Sequence, residues 1–401
     1  MMAEKIGKYY DVISGYAFKS TDLKDFADIP IVKIGNISNG RSIIFENMQY
    51  VDRLLLKINQ KYHIKKGDVL LSLTGSHINQ PNSMVGRSCR SYENEIFLLN
   101  QRAGKIMPKD EASLDYIYYV LQTKAMKESI VCRAYGAANQ VNVSPTAIMG
   151  IKWNFPSFPV QRRIASILSA YDNLIENNTR RIRLLEQMAE NLYKEWFVRF
   201  RFPGHENAEF ENGLPKGWNY QRLDSIASIN MGQSPSSSFY NEEQKGLPFH
   251  QGVGSYGDIY LKDEIYSTQG AKVAEPNSII FSVRAPVGRI NITLNRIYLG
   301  RGVAAINSIN GNNGFLYWSL RSRFAKEDTI GNGAIFSSVT RDELGRQKML
   351  VPIKRIVVKF ESIANKIENL IRDITNQNNS LSRQRDLLLP RLMSGKLEVN
   401  V

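Results

Sequence analysis

Arginine, lysine, asparagine and glutamine residues are scattered through strand-like and loop-like segments in both halves of the chain. Arginine can bind O6 and N7 of guanine with two donors, and the amides of asparagine and glutamine can bind adenine in the same way. Lysine and arginine also neutralise phosphates without distinguishing sequence. For any one residue a solvated charge or a structural hydrogen bond is the more common role, so only the set indicates a nucleic-acid interface. The candidates are Lys19, Arg87, Arg90, Arg102, Arg133, Asn139 and Gln140 in the first half, and Gln233, Arg284, Arg289, Arg301 and Arg323 in the second.

Residue patterns typical of catalysis are not found in the sequence. The histidines and cysteines have no metal-ligand spacing, and they are His63, His77, His205, His250, Cys89 and Cys132. No phosphate-binding loop of the GxxxxGK type occurs, and no cluster of acids beside a lysine suggests a nuclease. The sequence therefore predicts a chain without catalytic residues, metal or bound cofactor, although an unfamiliar catalytic arrangement stays open.

The overall charge and composition restrict the class of protein. The chain has 401 residues and a formal net charge of +14, which favours a polyanionic partner; a basic protein without a nucleic-acid role is the alternative. A hydrophobic fraction of 43% excludes a disordered chain. No apolar run is long enough to cross a membrane, the N-terminus has no secretory pattern, and two cysteines fit a reducing compartment. A cytoplasmic location is expected.

The elements that must position the candidate residues occur twice. Residues 161–187 align with residues 357–383 without a gap, so that Leu174 falls on Leu370 at an offset of 196 positions (370 − 174). Upstream, MVGR at 84–87 resembles PVGR at 286–289, and GDVLLSLTG at 67–75 resembles NSIIFSVRA at 277–285. Because repeats can decide an architecture, we expect two similar α/β globules, each followed by one long helix.

Both predicted helices carry apolar residues at alternating steps of four and three, as in the seam of a coiled coil. We expect the helices to pair antiparallel as a rigid spacer; the alternative is that each packs on its own globule. Asn178 and Asn378 interrupt the seams and are predicted to fix the register, unless they face solvent where the helices splay. The first seam is Ile164, Leu168, Tyr171, Ile175, Asn178, Ile182, Leu185, Ala189, Leu192 and Trp196, and the second is Phe360, Ala364, Ile367, Ile371, Ile374, Asn378, Leu381, Arg385, Leu388 and Leu392.

These patterns predict an α+β chain in which two globules are separated by two long helices with pseudo-two-fold symmetry. The predicted boundaries are 1–160 for the first globule, 161–203 for the central helix, 204–355 for the second globule and 356–401 for the C-terminal helix. The first helix ends in an aromatic cluster that is either a plug against the neighbouring globule or a docking patch for another subunit. This cluster is Trp196, Phe197, Phe200 and Phe202.

Four motifs resemble the specificity subunit of type I restriction–modification enzymes. They are SGYAFKS at 14–20, the stretch from Gln161 to Glu206, GLPKGW at 213–218 and LLLPRLMSGKLEV at 387–399. The resemblance covers essentially the whole chain, and the central stretch is its most specific part. One departure is that nothing like GLPKGW precedes the first globule.

The resemblance implies a division of labour between subunits. Each globule would be a target recognition domain for one half of a split sequence in double-stranded DNA. The helices would set the gap and dock two modification subunits, which would bind S-adenosylmethionine, flip an adenine and methylate its N6. A restriction subunit, where present, would supply ATP-driven translocation and cutting, and this chain would have no activity of its own.

Two other classes of function are open on the sequence. One is a non-enzymatic coiled-coil scaffold or another kind of nucleic-acid-binding protein. The other is a self-sufficient DNA methyltransferase or nuclease, which would act without partner subunits.

Overall fold

The computed structural model of the chain describes residues 3–40, 42–58, 60–75, 84–137, 140–324 and 338–400. It divides into two compact units, and unit 1 comprises Met1–Asn177 and Gln377–Val401. Unit 2 comprises Asn178–Asn376. Each unit therefore contains one globule together with a segment of each long helix.

Unit 1 is built around a four-stranded antiparallel sheet with the order Tyr10–Ser14, Ala103–Pro108, Val69–Ser72 and Ser88–Arg90. A second sheet has the order Gln49–Val51, Ile29–Val32, Phe97–Leu99 and His63–Ile64, and its two central strands are parallel. Val69–Ser72 is buried throughout, so its run of apolar residues suits a strand that is covered on both faces. A third sheet joins Tyr135–Ala137, Gln140–Asn142 and Thr74–Gly75, and Glu4–Lys5 pairs with Lys152–Trp153.

Unit 2 repeats this plan. Its four-stranded sheet has the order Ala227–Met231, Val303–Ser308, Ile279–Ser282 and Ile290–Ile292. Its second sheet has the order Tyr240–Asn241, Tyr266–Ser267, Leu247–His250, Ile297–Leu299 and Val273–Ala274, again with a parallel pair, Leu247–His250 and Ile297–Leu299. Two small sheets pair Asn219–Arg222 with Lys348–Val351 and Phe210–Glu211 with Leu214–Pro215. The predicted duplication of an α/β globule is confirmed.

The helices complete both units. The long helices are Phe158–Tyr193, which continues as a π-helical turn over Lys194–Val198, and Lys354–Met393. The shorter α-helices are Ile6–Tyr9, Leu114–Gln122, Lys124–Val131, Pro145–Met149, Leu223–Ile226, Asn313–Arg323 and Arg341–Gly345. Short 3₁₀ turns occupy Ser20–Asp22, Ile34–Asn36, Arg53–Lys57, Gln60–Tyr62, His205–Asn207, Ser237–Phe239 and Val253–Ser255.

A glycine follows the first strand of the four-stranded sheet in each unit, and close backbone approach requires it. A Cβ on Gly15 would lie 2.3 Å from the carbonyl oxygen of Leu99, and one on Gly232 would lie 2.1 Å from that of Gly300. No side chain fits at such distances, so only glycine allows the approach. This explains the glycine of the SGYAFKS motif and identifies Gly232 as its counterpart.

In each unit the long helix that follows the globule binds the start of a shorter helix. In unit 1 the side-chain oxygen of Gln161 accepts the amide of Ser113 at 3.3 Å. In unit 2 the carboxylate of Glu361 accepts the amides of Gly314 and Phe315 at 3.0 and 2.7 Å. These amides have no partner within their own helices, so the long helices position the globules as well as each other.

The long helices contact each other inside each unit. In unit 1, Leu168 and Leu392 share one hydrophobic core, and Asp172 forms an ion pair with Arg385 at 2.6 Å. In unit 2 the rings of Tyr193 and Trp196 each lie 6.0 Å from the ring of Phe360. Residue numbers rise along one helix as they fall along the other, so the pairing is antiparallel, as predicted.

All twenty positions of the two predicted seams are buried or half-buried. Asn178 is fully buried, and Arg181 donates a hydrogen bond to its side-chain oxygen at 3.5 Å. Asn378 is half-buried. A buried amide in an apolar seam favours one register because other registers leave it unsatisfied.

The aromatic cluster at the end of the first long helix packs inside unit 2. Trp196, Phe197 and Phe202 are buried in one core with Trp218 and Phe360, and the Phe197 and Phe360 rings are 5.1 Å apart. The plug interpretation agrees with this packing, and the docking-patch interpretation does not. The α-helix ends ten residues before Pro203 because a π-turn redirects the chain to place these rings.

Candidate nucleic-acid interface

The end of one buried strand organises a cluster of basic residues in each unit. Ser72 ends this strand in unit 1, and its amide donates to the carbonyl of Arg87 at 2.8 Å. Ser282 ends the equivalent strand in unit 2, and its amide donates to the carbonyl of Arg289 at 2.9 Å. The structure therefore places Arg87 and Arg289 at the same point of the two units. Arg87 is half-buried and Arg289 is exposed.

In each unit a tight turn places a further arginine next to the end of this strand. The amide of Leu73 donates to the carbonyl of Arg102 at 3.1 Å, and the amide of Val283 donates to that of Gly302 at 2.9 Å. Arg102 and Arg301 are both exposed on this turn. Arg284, also exposed, follows the Val283 amide directly. Two candidate arginines thus border the strand end of unit 1, and three border that of unit 2.

Two more candidate arginines lie at the C-terminal ends of helices that pack beneath this site. Ile130 lies under Gly86, and Arg133 follows one turn later, with its guanidinium donating to the Ser129 carbonyl at 2.7 Å. Phe324 lies under Gly288 in the same way, and Arg323 precedes it. Both arginines are exposed, so their backbones are fixed while their side chains face solvent.

The remaining polar candidates are placed less uniformly. Gln140 is exposed in the strand that pairs with Thr74–Gly75, and Gln233 is exposed directly after Gly232. Lys19 is exposed, and its amide donates to Asp22 at 3.3 Å. Asn139 lies outside the described residues.

Arg90 differs from the other candidates because it is buried, with 6% of its surface exposed. Its guanidinium forms an ion pair with Asp115 at 2.8 Å and lies 4.6 Å from the ring centre of Tyr118. A guanidinium held inside the fold on an aromatic face stabilises the packing of the helix that carries Tyr118. This placement argues against a DNA contact by Arg90.

Sequence reasoning missed three polar residues at this site. Two of them, Lys33 and Gln251, directly follow equivalent strands. In unit 1 the amide of Asn100 donates to the carbonyl of Val32 at 3.1 Å, and in unit 2 the amide of Gly300 donates to that of His250 at 2.8 Å. The matching segments PIVK at 30–33 and PFHQ at 248–251 were the available signal. The third residue is Lys127. Burial lowers its pKa, and the nearby positive charge of Arg87 lowers it further while Asp386 raises it.

One arrangement in unit 2 resembles a catalytic triad. Buried His250 contacts the hydroxyl of Ser255 through Nδ1 at 2.8 Å and the carboxylate of Asp263 through Nε2 at 3.0 Å. The Ser255 hydroxyl also lies 3.2 Å from the carbonyl of Gly252. These hydrogen bonds join His250 and Asp263 to the 251–257 loop and hold that loop in place.

Within the part of the chain that the structure describes, no group of three or more histidine, cysteine, aspartate or glutamate residues is arranged to hold a metal ion. No helix among the described residues is long and apolar enough to span a membrane.

Comparison with known proteins adds independent information. The protein-family model described as the type I restriction modification DNA specificity domain matches residues 4–187 and 215–382. The type I restriction enzyme MjaIX specificity subunit of Methanocaldococcus jannaschii is 26% identical over 421 residues, which cover 98% of this chain and 95% of that protein. The HindI specificity subunit of Haemophilus influenzae is 21% identical over 461 residues, covering 94% and 96%.

A solved structure shows the same fold. The S subunit of a type I restriction–modification system from M. genitalium has a TM-score of 0.57 at 17% identity and covers 98% of this chain and 95% of its own. The family model matches each half of the chain once, in agreement with the two similar units. The chain belongs to the family of type I restriction–modification specificity subunits, which are non-catalytic.

Proposed function

We propose that this chain reads a bipartite DNA target, one half with each unit, and docks two modification subunits that methylate adenine N6. Double-stranded DNA is then its ligand, and S-adenosylmethionine binds to the modification subunits. A restriction subunit, where present, joins the same complex. The observation that carries the proposal is the equivalence of the two strand ends at Ser72 and Ser282, each bordered by candidate arginines.

The two interfaces share a backbone frame but differ in side chains. Arg87 and Arg289 are the same residue type at the same point, and they suit the sequence-independent neutralisation of phosphate. Two residues after Ser72 and Ser282, the side chains differ: Thr74 in unit 1 corresponds to Arg284 in unit 2. The two positions are equivalent because Thr74 pairs with Asn142 and Arg284 pairs with Ser338. A common frame with different side chains suits two half-sites of different sequence.

The proposal is tested by sequencing DNA methylation in a host with and without the gene. A split adenine-methylated motif should be present in the first strain and absent from the second. A methylation pattern that does not depend on the gene would overturn the proposed function.

Independent reading by the two units predicts the effect of exchanging one of them. Replacing residues 1–160 with those of a relative is expected to change one half of the motif and to leave the other half unchanged. The control is a strain that carries the unaltered gene at the same locus. A change in both halves would contradict independent reading.

Arg289→Ala should weaken methylation at limiting enzyme by about 10- to 150-fold, which corresponds to the loss of one charge-assisted hydrogen bond of about 1.5–3 kcal/mol. Arg87→Ala should act in the same direction. Arg296→Ala is the matched control, because Arg296 is an exposed arginine of unit 2 that pairs with Glu275 at 3.0 Å, and such surface pairs contribute little. The methylated fraction per site measures the effect, and full methylation by both interface variants would remove these arginines from the interface.

A further inference from the structure

Unit 2 has an open groove of about 550 Å³ beside the turn that carries Arg301. Loop residues 233–236, 239 and 268–271 form it together with Tyr298. Gln233 and Gln269 contribute amides, and Phe239 and Tyr298 contribute aromatic rings. None of the residues that line the groove carries a formal charge, although the chain has a net charge of +14.

The walls of the groove are fixed by hydrogen bonds and close packing. The amide of Gln233 donates to Leu299 at 2.9 Å, and the amide of Thr268 donates to Phe239 at 3.2 Å. The fully buried hydroxyl of Ser267 donates to the carbonyl of Gln269 at 2.7 Å. A Cβ on Gly270 would lie 2.3 Å from the ring of Tyr298, so the loop lies directly on that ring. Both glutamines therefore extend from an ordered backbone, which limits the entropy lost on binding.

The groove is continuous with the basic interface. The amide of Arg301 donates to the hydroxyl of Ser234, a lining residue, at 3.1 Å. Lys272 follows the 268–271 wall and is exposed, and its carbonyl accepts the amide of Leu299 at 2.9 Å. Cations thus flank an uncharged recess. Phosphates are attracted by the rim, whereas the recess itself offers only hydrogen-bonding amides and apolar rings.

Unit 1 has aromatic rings at the corresponding place. Tyr16 is the counterpart of Gln233, because the amides of both donate to the equivalent leucines, Leu99 and Leu299. The Tyr16 ring lies 5.0 Å from that of Phe18 and 5.6 Å from that of Tyr62. The amide-lined recess is thus a point at which two otherwise similar units differ. Residues that determine sequence preference are expected at such points.

We propose that Gln233 and Gln269 read an adenine in the DNA half-site of unit 2, and this inference rests on the proposed function. A glutamine amide supplies one donor for adenine N7 and one acceptor for its N6 amino group. The uncharged lining disfavours a phosphate as the occupant. Phe239 and Tyr298 offer apolar surface to the methyl group of the paired thymine. Arg301 and Lys272 bind the DNA phosphates on either side of the groove.

The test compares the methylation motif of hosts that carry Gln233→Ala, Gln269→Ala, Gln233→Glu or Gln269→Glu. In the alanine variants, the preference for adenine over other bases at one position of the motif should fall by about 5- to 150-fold. The glutamate variants should shift that position towards cytosine, since a carboxylate accepts from the cytosine amino group. The altered position should lie in the half of the motif that stays unchanged when residues 1–160 are exchanged. Gln187→Ala, an exposed helix residue of unit 2, is the control and should leave the motif unchanged.

The motif decides between the outcomes. An unchanged motif in all four variants, or a change in the half that follows residues 1–160, overturns the proposal. If the alanine variants yield no methylation, the glutamate variants decide because they keep the size of the side chain. Loss of methylation in both glutamate variants without a changed base preference also overturns it, since the groove is then structural. A wild-type gene that produces no split motif would instead overturn the proposed function.

Discussion

Replacing Arg385 with methionine is expected to lower the free energy of unfolding of unit 1 by about 3–5 kcal/mol, because it leaves a buried carboxylate without its cation. Asp172 is only 6% exposed, and its two oxygens bind Arg385 and the hydroxyl of Tyr119, each at 2.6 Å. Burial, together with the charge of Asp172, raises the pKa of Tyr119 far above its ordinary value. The phenol therefore keeps its proton and remains a donor. Chemical denaturation followed by circular dichroism measures the loss.

A double-mutant cycle separates this ion pair from general effects of the substitution. Adding Asp172→Asn to Arg385→Met should restore most of the lost stability, because the amide carries no charge and still accepts from Tyr119. Arg383→Met is the matched control, since Arg383 is exposed on the same helix, and it should change stability by less than about 0.5 kcal/mol. Equal losses in Arg383→Met and Arg385→Met would show that the ion pair is not the cause.

The second large effect concerns the gap between the half-sites. Inserting seven residues into only one long helix, after Asn177, is expected to reduce methylation by more than about 100-fold. Asp172–Arg385 in unit 1 and Trp196–Phe360 in unit 2 each fix the helix register, and a one-sided insertion can satisfy only one of them. The cost of a lost buried pair or ring contact is several kcal/mol. Methylation sequencing measures both the extent and the motif.

Matched insertions provide the complementary experiment. Seven residues added after both Asn177 and Asn376 keep the seam pattern and lengthen the pair by about 10 Å. We expect methylation to return on a motif whose gap is longer by about three base pairs, given 3.4 Å per base pair. An unchanged gap in either insertion variant would contradict the spacer role of the helices.

Most of the architecture could be predicted because it depends on periodicity. The ungapped repeat alone aligns Leu174 with Leu370, and the steps of four and three locate both seams. A separate match, of MVGR at 84–87 with PVGR at 286–289, aligns Arg87 with Arg289, and the structure shows them at equivalent strand ends. Repeats and heptads are long signals, and a long pattern outweighs local ambiguity.

The parts that could not be predicted depend on contacts between distant, short segments. Lys33 joins the candidate interface because Ile29–Val32 runs parallel to Phe97–Leu99, and strands of three or four residues carry no clear alternation. Arg90 is buried, packs on the ring of Tyr118 and pairs with Asp115. Neither partner is adjacent in sequence, so the spacing of the residues gives no indication of the pairing.

The division of the chain into units has a consequence for its synthesis. Unit 2 is continuous from Asn178 to Asn376, whereas the core of unit 1 takes Leu388 and Leu392 from the second long helix. A ribosome adds roughly 5–20 residues per second, so the unit 1 core waits roughly 10–40 s after Asn177 is made. During that time Leu168 and its neighbours lack their final cover, and the nascent chain is most exposed to chaperones and proteases. The globule made first is therefore the one finished last.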